Sequence, residues 1–236
     1  MGSPLRIDLH THSLLSDGAL LPSEHARRAA VVGYRAIAIT DHADASNLEH
    51  VVRCLLSFVR EEGEDLPLLV LPGVELTHVP PALVPRLAGR ARELGAALIV
   101  VHGETLAEPV APGTNAAAVS SPDVDILAHP GLVTREEAEE ATRNGIYLEI
   151  TSRGPHSLTN GHVAHAARQA GAQVVVNTDA HSHTDFLDQA GAERVACGAG
   201  LSAEEARRAT VVNPEALIER ALARLGPAMA RRWEGR

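Results

Sequence analysis

The chain has 236 residues, 45% of them apolar and only 2% aromatic, and a formal charge of −9. This composition excludes a disordered chain and provides for a sizeable core, built on Ala, Val, Leu and Ile because aromatics are so few. Lysine is absent, which excludes Schiff-base, pyridoxal-phosphate and P-loop lysine chemistry, and the acidic balance speaks against nucleic acid and anionic membranes as partners.

Residues 5–9 form the first predicted strand, and 22–32 the first helix, framed by Pro22 at its start and Gly33 past its end. Strand 36–40 and helix 48–62 follow, then strand 68–74 and helix 84–94, then strand 97–101. After strand 126–128 comes helix 135–144, with Thr134 as its N-cap and Gly145 as its stop. Strand 146–150, helix 161–170 and strand 174–177 complete the alternation, and helical periods resume at 203–210 and 214–225. The strands are short, Ile/Val/Leu-rich and mostly unalternating, as in a parallel sheet covered on both faces. Seven β-α units imply right-handed crossovers and an α/β fold, with a closed or nearly closed barrel favoured over an open sheet.

The chain reads as one domain over residues 1–236, with an Arg-rich, loosely held tail at 226–236. Neither a signal peptide nor a membrane-length apolar run is visible, so a cytoplasmic protein with no membrane partner is expected. Cys54 and Cys197 lack metal-type spacing and read as buried free thiols.

Chemistry concentrates at the strand ends. The first gives Asp8-Leu9-His10-Thr11-His12, the second Asp41-His42, the third Glu75, the fourth His102, the fifth His129 and the seventh Asp179-Ala180-His181. In a parallel barrel these ends meet on one face, where such barrels carry their active sites. His10 and His12, two apart on a strand, point the same way. Six of thirteen histidines occupy strand ends; with Asp17, Glu75 and Asp179 they exceed the needs of one tetrahedral ion and suit two or three ions of zinc, manganese or iron. His25, His50, His162 and His165 fall on helices and read as structural, whereas His78 and His156 lie in loops of the active face. The sixth strand ends near Glu149 and contributes no evident ligand.

These motifs carry a resemblance. Asp8-Leu9-His10-Thr11-His12-Ser13 with Ser16-Asp17-Gly18, Ile39-Thr40-Asp41-His42, Gly73-Val74-Glu75, His102, Ala128-His129-Pro130-Gly131 and Thr178-Asp179-Ala180-His181-Ser182 resemble the polymerase-and-histidinol-phosphatase (PHP) family of metallohydrolases. The resemblance implies a distorted seven-stranded (β/α)7 TIM-like barrel with a trinuclear centre. One metal would be held by His10, His12, Glu75 and Asp179. Glu75 would bridge to a second, held also by His102 and His129, and Asp17, His42 and His181 would hold the third.

The expected activity is therefore hydrolysis of a small phosphomonoester by metal-activated water, whose pKa a bound ion lowers to about 7. Arg153, after the sixth strand, is the expected phosphate ligand, because arginine grips phosphate bidentately. His183 is the expected proton donor to the leaving group. Loops 76–85 and 103–113 shape the pocket. Two rivals are a nuclease of the same family, which normally needs a basic groove and stacking aromatics, and a binuclear amidohydrolase, in which Asp17, His42 and His181 would be surplus. A homo-oligomer is left open.

Overall fold

A computed structural model of the chain describes residues 6–234. Eight parallel strands form the sheet: β1 (Arg6–Thr11), β2 (Tyr34–Ile39), β3 (His42–Ala43), β4 (Leu69–Leu76), β5 (Leu98–His102), β6 (Ile126–Ala128), β7 (Tyr147–Thr151) and β8 (Val174–Asn177). Their order is β1-β2-β4-β5-β6-β7-β8, with the two-residue β3 lying beside β4. A bridge between Thr11 and Ala180 brings the two ends together, so the seven longer strands make a nearly closed TIM-like barrel. The seven predicted strands agree with these to within two residues, and residue 5 lies outside the described residues. β3 is additional: two residues are too few to show a period.

Helices cross between strands: α1 (Pro22–Val32), α2 (Leu48–Glu62), α3 (Val84–Leu94), α4 (Thr114–Val119), α5 (Arg135–Asn144), α6 (Asn160–Ala170), α7 (Gln189–Gly198), α8 (Ala203–Arg207), α9 (Asn213–Leu225) and α10 (Pro227–Glu234). In α2 the apolar spacing buries Leu48, Val51, Val52, Leu55 and Val59 against the sheet. Removing a fully buried side chain of this kind, as in Leu55→Ala, costs about 2–5 kcal/mol. Helix α5 opens on a reciprocal capping box between Thr134 and Glu137 and closes on Gly145 at φ 66, a conformation that glycine adopts without strain.

Three differences from the sequence reading have physical causes. The expected helix 203–210 breaks at Arg207 into a wide π turn, Arg208–Val212, that runs into α9; Pro214 lacks the N–H that a regular helix would use there. Within the expected tail, Pro227–Glu234 is helical, and residues 235 and 236 lie outside the described residues. Met229, Ala230 and Trp233 pack on the core, and the Arg35 guanidinium sits 4.3 Å from the Trp233 ring centre. Of the two cysteines, both free, Cys197 is exposed and Cys54 half-buried, not buried as expected.

The core has two layers. Between sheet and helices lie Ile37, Ile39, Val70, Ile99, Val101, Leu127, Leu148 and Val176 with the apolar helix faces. Inside the barrel lie Ile7, Leu9, Ala36, Ala38, Leu69, Leu71, Leu98, Val100, Val175 and, plugging one end, Leu217, Ile218, Ala221 and Leu222 of α9. Strand alternation carries the inner rows upward from Leu71 to Glu75 and from Val100 to His102. In β1 the register slips between Asp8 and Thr11, three residues facing two of β2. Such a bulge reverses the parity, so His10 and His12 reach the interior that Leu9 also faces.

Candidate metal centre

The carboxyl ends of the strands gather all nine side chains expected as ligands. Glu75, fully buried on β4, lies at the middle. Its Oε1 is 3.4 Å from His10 Nε2 and 3.7 Å from His129 Nε2, and its Oε2 is 2.7 Å from His42 Nδ1 and 3.7 Å from His12 Nε2. Asp179, just past β8, stands 3.0 Å from His12 Nε2, 3.7 Å from His10 Nε2 and 3.7 Å from His129 Nε2. Asp17 lies at the outer rim, 3.4 Å from His42 Nε2 and 3.1 Å from His181 Nε2. Among the described residues, five groups have ligand atoms close enough to share a cation: His10, His12 and Asp179; His12, Asp17, His42 and His181; His102, His129 and His156; His10, His129 and Glu149; and His78, His102 and Glu108.

Backbone geometry serves this convergence. His129 and Asp179 are held at φ 26 and φ 53, where residues other than glycine are strained. Gly131, at φ 64, lets its loop approach Glu104; a Cβ there would lie 1.8 Å from the Glu104 carbonyl oxygen.

The imidazoles are oriented from behind. His10 Nδ1 donates to Glu149 Oε1 at 2.8 Å, and Glu149 also receives Asn177 Nδ2 and the His129 backbone N–H. His102 Nδ1 donates to the Gly103 carbonyl at 3.1 Å, and His181 Nδ1 to the Asp179 carbonyl at 2.9 Å. Each bond places a proton on Nδ1 and turns Nε2 toward the centre, the usual arrangement behind a metal-binding imidazole. Glu149 went unrecognised in the sequence; its one signal was a carboxylate inside an otherwise apolar strand.

Charge is distributed unevenly across this buried space. Burial opposes the charged form of His10, but Glu149, Glu75 and Asp179 raise it well above the ordinary histidine value. Burial and neighbouring histidines push His12 and His129 well below it, so both are neutral and offer lone pairs. Burial, aided by Glu75, lifts Asp179 to about 7.

The donor set fits divalent cations. His10 Nε2, both nitrogens of His12, His129 Nδ1, Glu75 Oε1 and Asp179 Oδ1 are buried and make no hydrogen bond. Buried polar atoms ordinarily find such partners, and imidazole with carboxylate suits borderline transition metals.

Beside this constellation opens a cleft of about 500 Å³, lined by Glu108, Ser152, Arg153, His156, Thr178 and Asp185 among others. Arg153 reaches over Asp179, its Nε 3.4 Å from Oδ2 and its Nη1 donating to the Asp179 carbonyl at 3.2 Å. His183 is exposed on the turn after β8 and is not among the residues lining the cleft. His78 is exposed, whereas His156 is buried. His25 is buried edge-on to Phe186.

A barrel with a buried histidine–carboxylate constellation at its strand ends defines a metal-dependent hydrolase. The chain belongs to the PHP family, whose domain matches over residues 8–101. It is 46% identical over 218 residues to an uncharacterized protein of Methanocaldococcus jannaschii, covering 92% of this chain and all of that one. It is 28% identical to ribonuclease P protein component 3 of Methanosarcina barkeri, covering 93% and 91%. A chain in the structure of archaeal ribonuclease P with mature tRNA superposes at TM-score 0.70 and 16% identity, over 92% of this chain and 91% of that one. Histidinol phosphate phosphatase from Lactococcus lactis, solved with zinc, L-histidinol and phosphate, superposes at TM-score 0.58 and 16% identity, over 84% and 94%. These two superpositions establish the shared fold.

The expectation against a nucleic-acid partner is overturned here, because chains of matching length and fold belong to ribonuclease P. The error was to read a local property from a global sum: net charge averages the whole surface, while recognition depends on the field at one face. Among the described residues, no helix is long and apolar enough to cross a membrane.

Proposed function

We propose that this chain is a metal-dependent phosphoesterase that hydrolyses a small phosphomonoester at a trinuclear centre. One observation carries the reading: buried atoms of His10, His12, Glu75 and Asp179 that make no hydrogen bond converge from three strand ends. His10, His12, Glu75 and Asp179 would hold one ion. Glu75, His102 and His129 would hold the second, and Asp17, His42 and His181 the third, drawn from zinc, manganese or iron. Such ions supply Lewis acidity, acidifying water and neutralising phosphoryl charge.

The chain's own groups do the rest. Arg153 presents its guanidinium to the cleft and is the proposed phosphate ligand, suited to two phosphoryl oxygens at once. Glu149 keeps His10 in the tautomer that faces the centre. His183 is proposed as proton donor to the leaving group; it shares a turn with His181, which Asp185 braces by accepting the His181 and Ser182 N–H groups at 3.0 and 2.8 Å. The kinship with ribonuclease P component 3 favours a second reading, a nuclease or a nucleic-acid-bound member acting on a phosphodiester.

The test loads the protein with zinc, manganese or iron, counts bound metal, and offers a chromogenic phosphomonoester, a labelled oligonucleotide, an amide and a lactone. Metal-dependent phosphate release from the monoester supports the first reading. Cleavage of the oligonucleotide alone supports the second, turnover of the lactone or amide alone would indicate an amidohydrolase, and failure to bind metal would sink them all.

A further inference from the structure

Two residues outside the nine converge on His102 and His129. His156, on the turn after β7, is buried, and its ring stacks on His129 with centroids 4.3 Å apart. Its Nδ1 meets Thr105 Oγ1 at 2.8 Å, and that oxygen also receives the Ala107 N–H. Donation from Nδ1 leaves Nε2 bare, the same orientation that Gly103 imposes on His102. Nε2 of His156 and Nε2 of His102 both face Glu108, at 3.4 Å from Oε1 and 3.2 Å from Oε2.

These spacings are those of ligand atoms around an ion. A tetrahedral zinc with bonds of about 2.0–2.1 Å has ligand–ligand edges of about 3.3 Å. Ligand atoms of His102, His129 and His156 lie within 4.8 Å of one another, and the buried Nδ1 of His129 makes no hydrogen bond. The loop carrying Glu108 is braced: Glu104 Oε1 accepts the Gly113 and Asn115 N–H groups, and Asn115 returns bonds to Glu104 N–H and the Pro130 carbonyl. From outside, His78 Nε2 holds Glu108 Oε2 at 2.9 Å.

We propose that Glu108 and His156 are further ligands of the cation held by Glu75, His102 and His129, which gives that position three imidazoles and two carboxylates. The inference rests on the proposed metal centre and adds two ligands supplied by loops. Three imidazole nitrogens with two carboxylates suit zinc over magnesium or calcium. Apart from the shared Glu75, the remaining ions keep their own ligands, so occupancy of this position can be followed separately.

The experiment compares zinc-soaked crystals of the wild type, Glu108→Gln and the double variant Glu108→Ala/His156→Ala, using anomalous scattering at the zinc edge, with zinc affinity measured in solution. The wild type should show an ion between His102 and His129 within bonding distance of Glu108 and His156. Glu108→Gln should weaken that ion at least about 10-fold, and the double variant should lose it while zinc beside His10 and His12 persists. Circular dichroism verifies folding; should the double variant misfold, the wild-type map and Glu108→Gln decide. An unchanged affinity in Glu108→Gln, or an ion there beyond bonding distance of both residues, overturns the inference. So does zinc at the other positions with none at this one. A wild type with no zinc anywhere overturns the proposed function together with it.

Discussion

At the lower end of the barrel Asp125 is buried and fully served by the chain: it accepts from Arg92, from the Ile99 N–H at 2.9 Å and from Arg224 Nη1 at 2.9 Å. At the upper end Glu75 is equally buried, yet its Oε1 makes no hydrogen bond and faces His10 Nε2, which is in the same condition. Both ends bury carboxylate. Asp125 is answered by guanidinium and backbone N–H, which need nothing from outside; Glu75 has neither. The upper end is shaped for cations the chain does not itself provide, and the strained φ angles of His129 and Asp179 lie there. Stability and function are thus separated along the barrel axis, a division familiar in this class of fold.

The strongest way to break this comparison is Glu75→Gln. Gln keeps the shape and loses the charge that four histidines share, so turnover should fall by about 10³-fold with loss of bound metal and retention of fold. Normal metal content and rate, measured together, would remove Glu75 from the centre.

Chelation comes next. Cations that bind only the folded state contribute about 4 kcal/mol at a thousandfold excess over Kd. Stripping them should lower the melting temperature by about 10 °C, at roughly 2–4 °C per kcal/mol for a domain of this size. An unchanged melting curve in a sample shown to be metal-free would mean that the upper end needs no cation.

The lower end should behave in the opposite way. Asp125→Ala strands Arg92 and Arg224, costing about 3 kcal/mol, the low end for a buried pair because Arg224 is partly exposed. Denaturant unfolding should show that loss, while metal content stays at the wild-type value. Loss of metal in a folded Asp125→Ala protein would show that the two ends are coupled.

The smallest effect concerns His25. Burial and nearby His181 hold it down to about 4, and neither ring nitrogen makes a hydrogen bond. The unfolded chain takes up this proton first, near pH 6.5, so the stabilisation is complete above that pH and is lost as pH falls toward 4. Between pH 8 and 5 the loss is about 2 kcal/mol. Since acid also releases metal, the measurement belongs to chelated protein, where His25→Leu should flatten the slope of stability between pH 6.5 and 4. An unaltered slope would assign the acid sensitivity to other groups.

The elements legible in the sequence were those with strong local periods: helices α1, α3 and α5 begin and end where Pro, Thr134 and the stopping glycines place them, and α2 stops before Gly63. Helix α7 escaped notice because glycines at 191 and 198 dilute its apolar face; its signal was Asp188, whose carboxylate caps it by accepting the Gly191 N–H. Ligand types were legible because a strand end is a local position, and a histidine there is rare enough to notice. Glu149, Glu108 and the bulge in β1 were not. Glu149 matters through His10, 139 residues away, Glu108 through His102 on β5 and His156 on the turn after β7, and the bulge through its register against β2. Local backbone preference and hydrophobic period thus determined the alternation of strands and helices and the residues offered at one face. Which imidazole nitrogen is bare, which carboxylate stays unpaired and which loop side chains join the centre were decided by tertiary contacts alone, because hydrogen bonding and burial depend on neighbours that the chain brings together only when it folds.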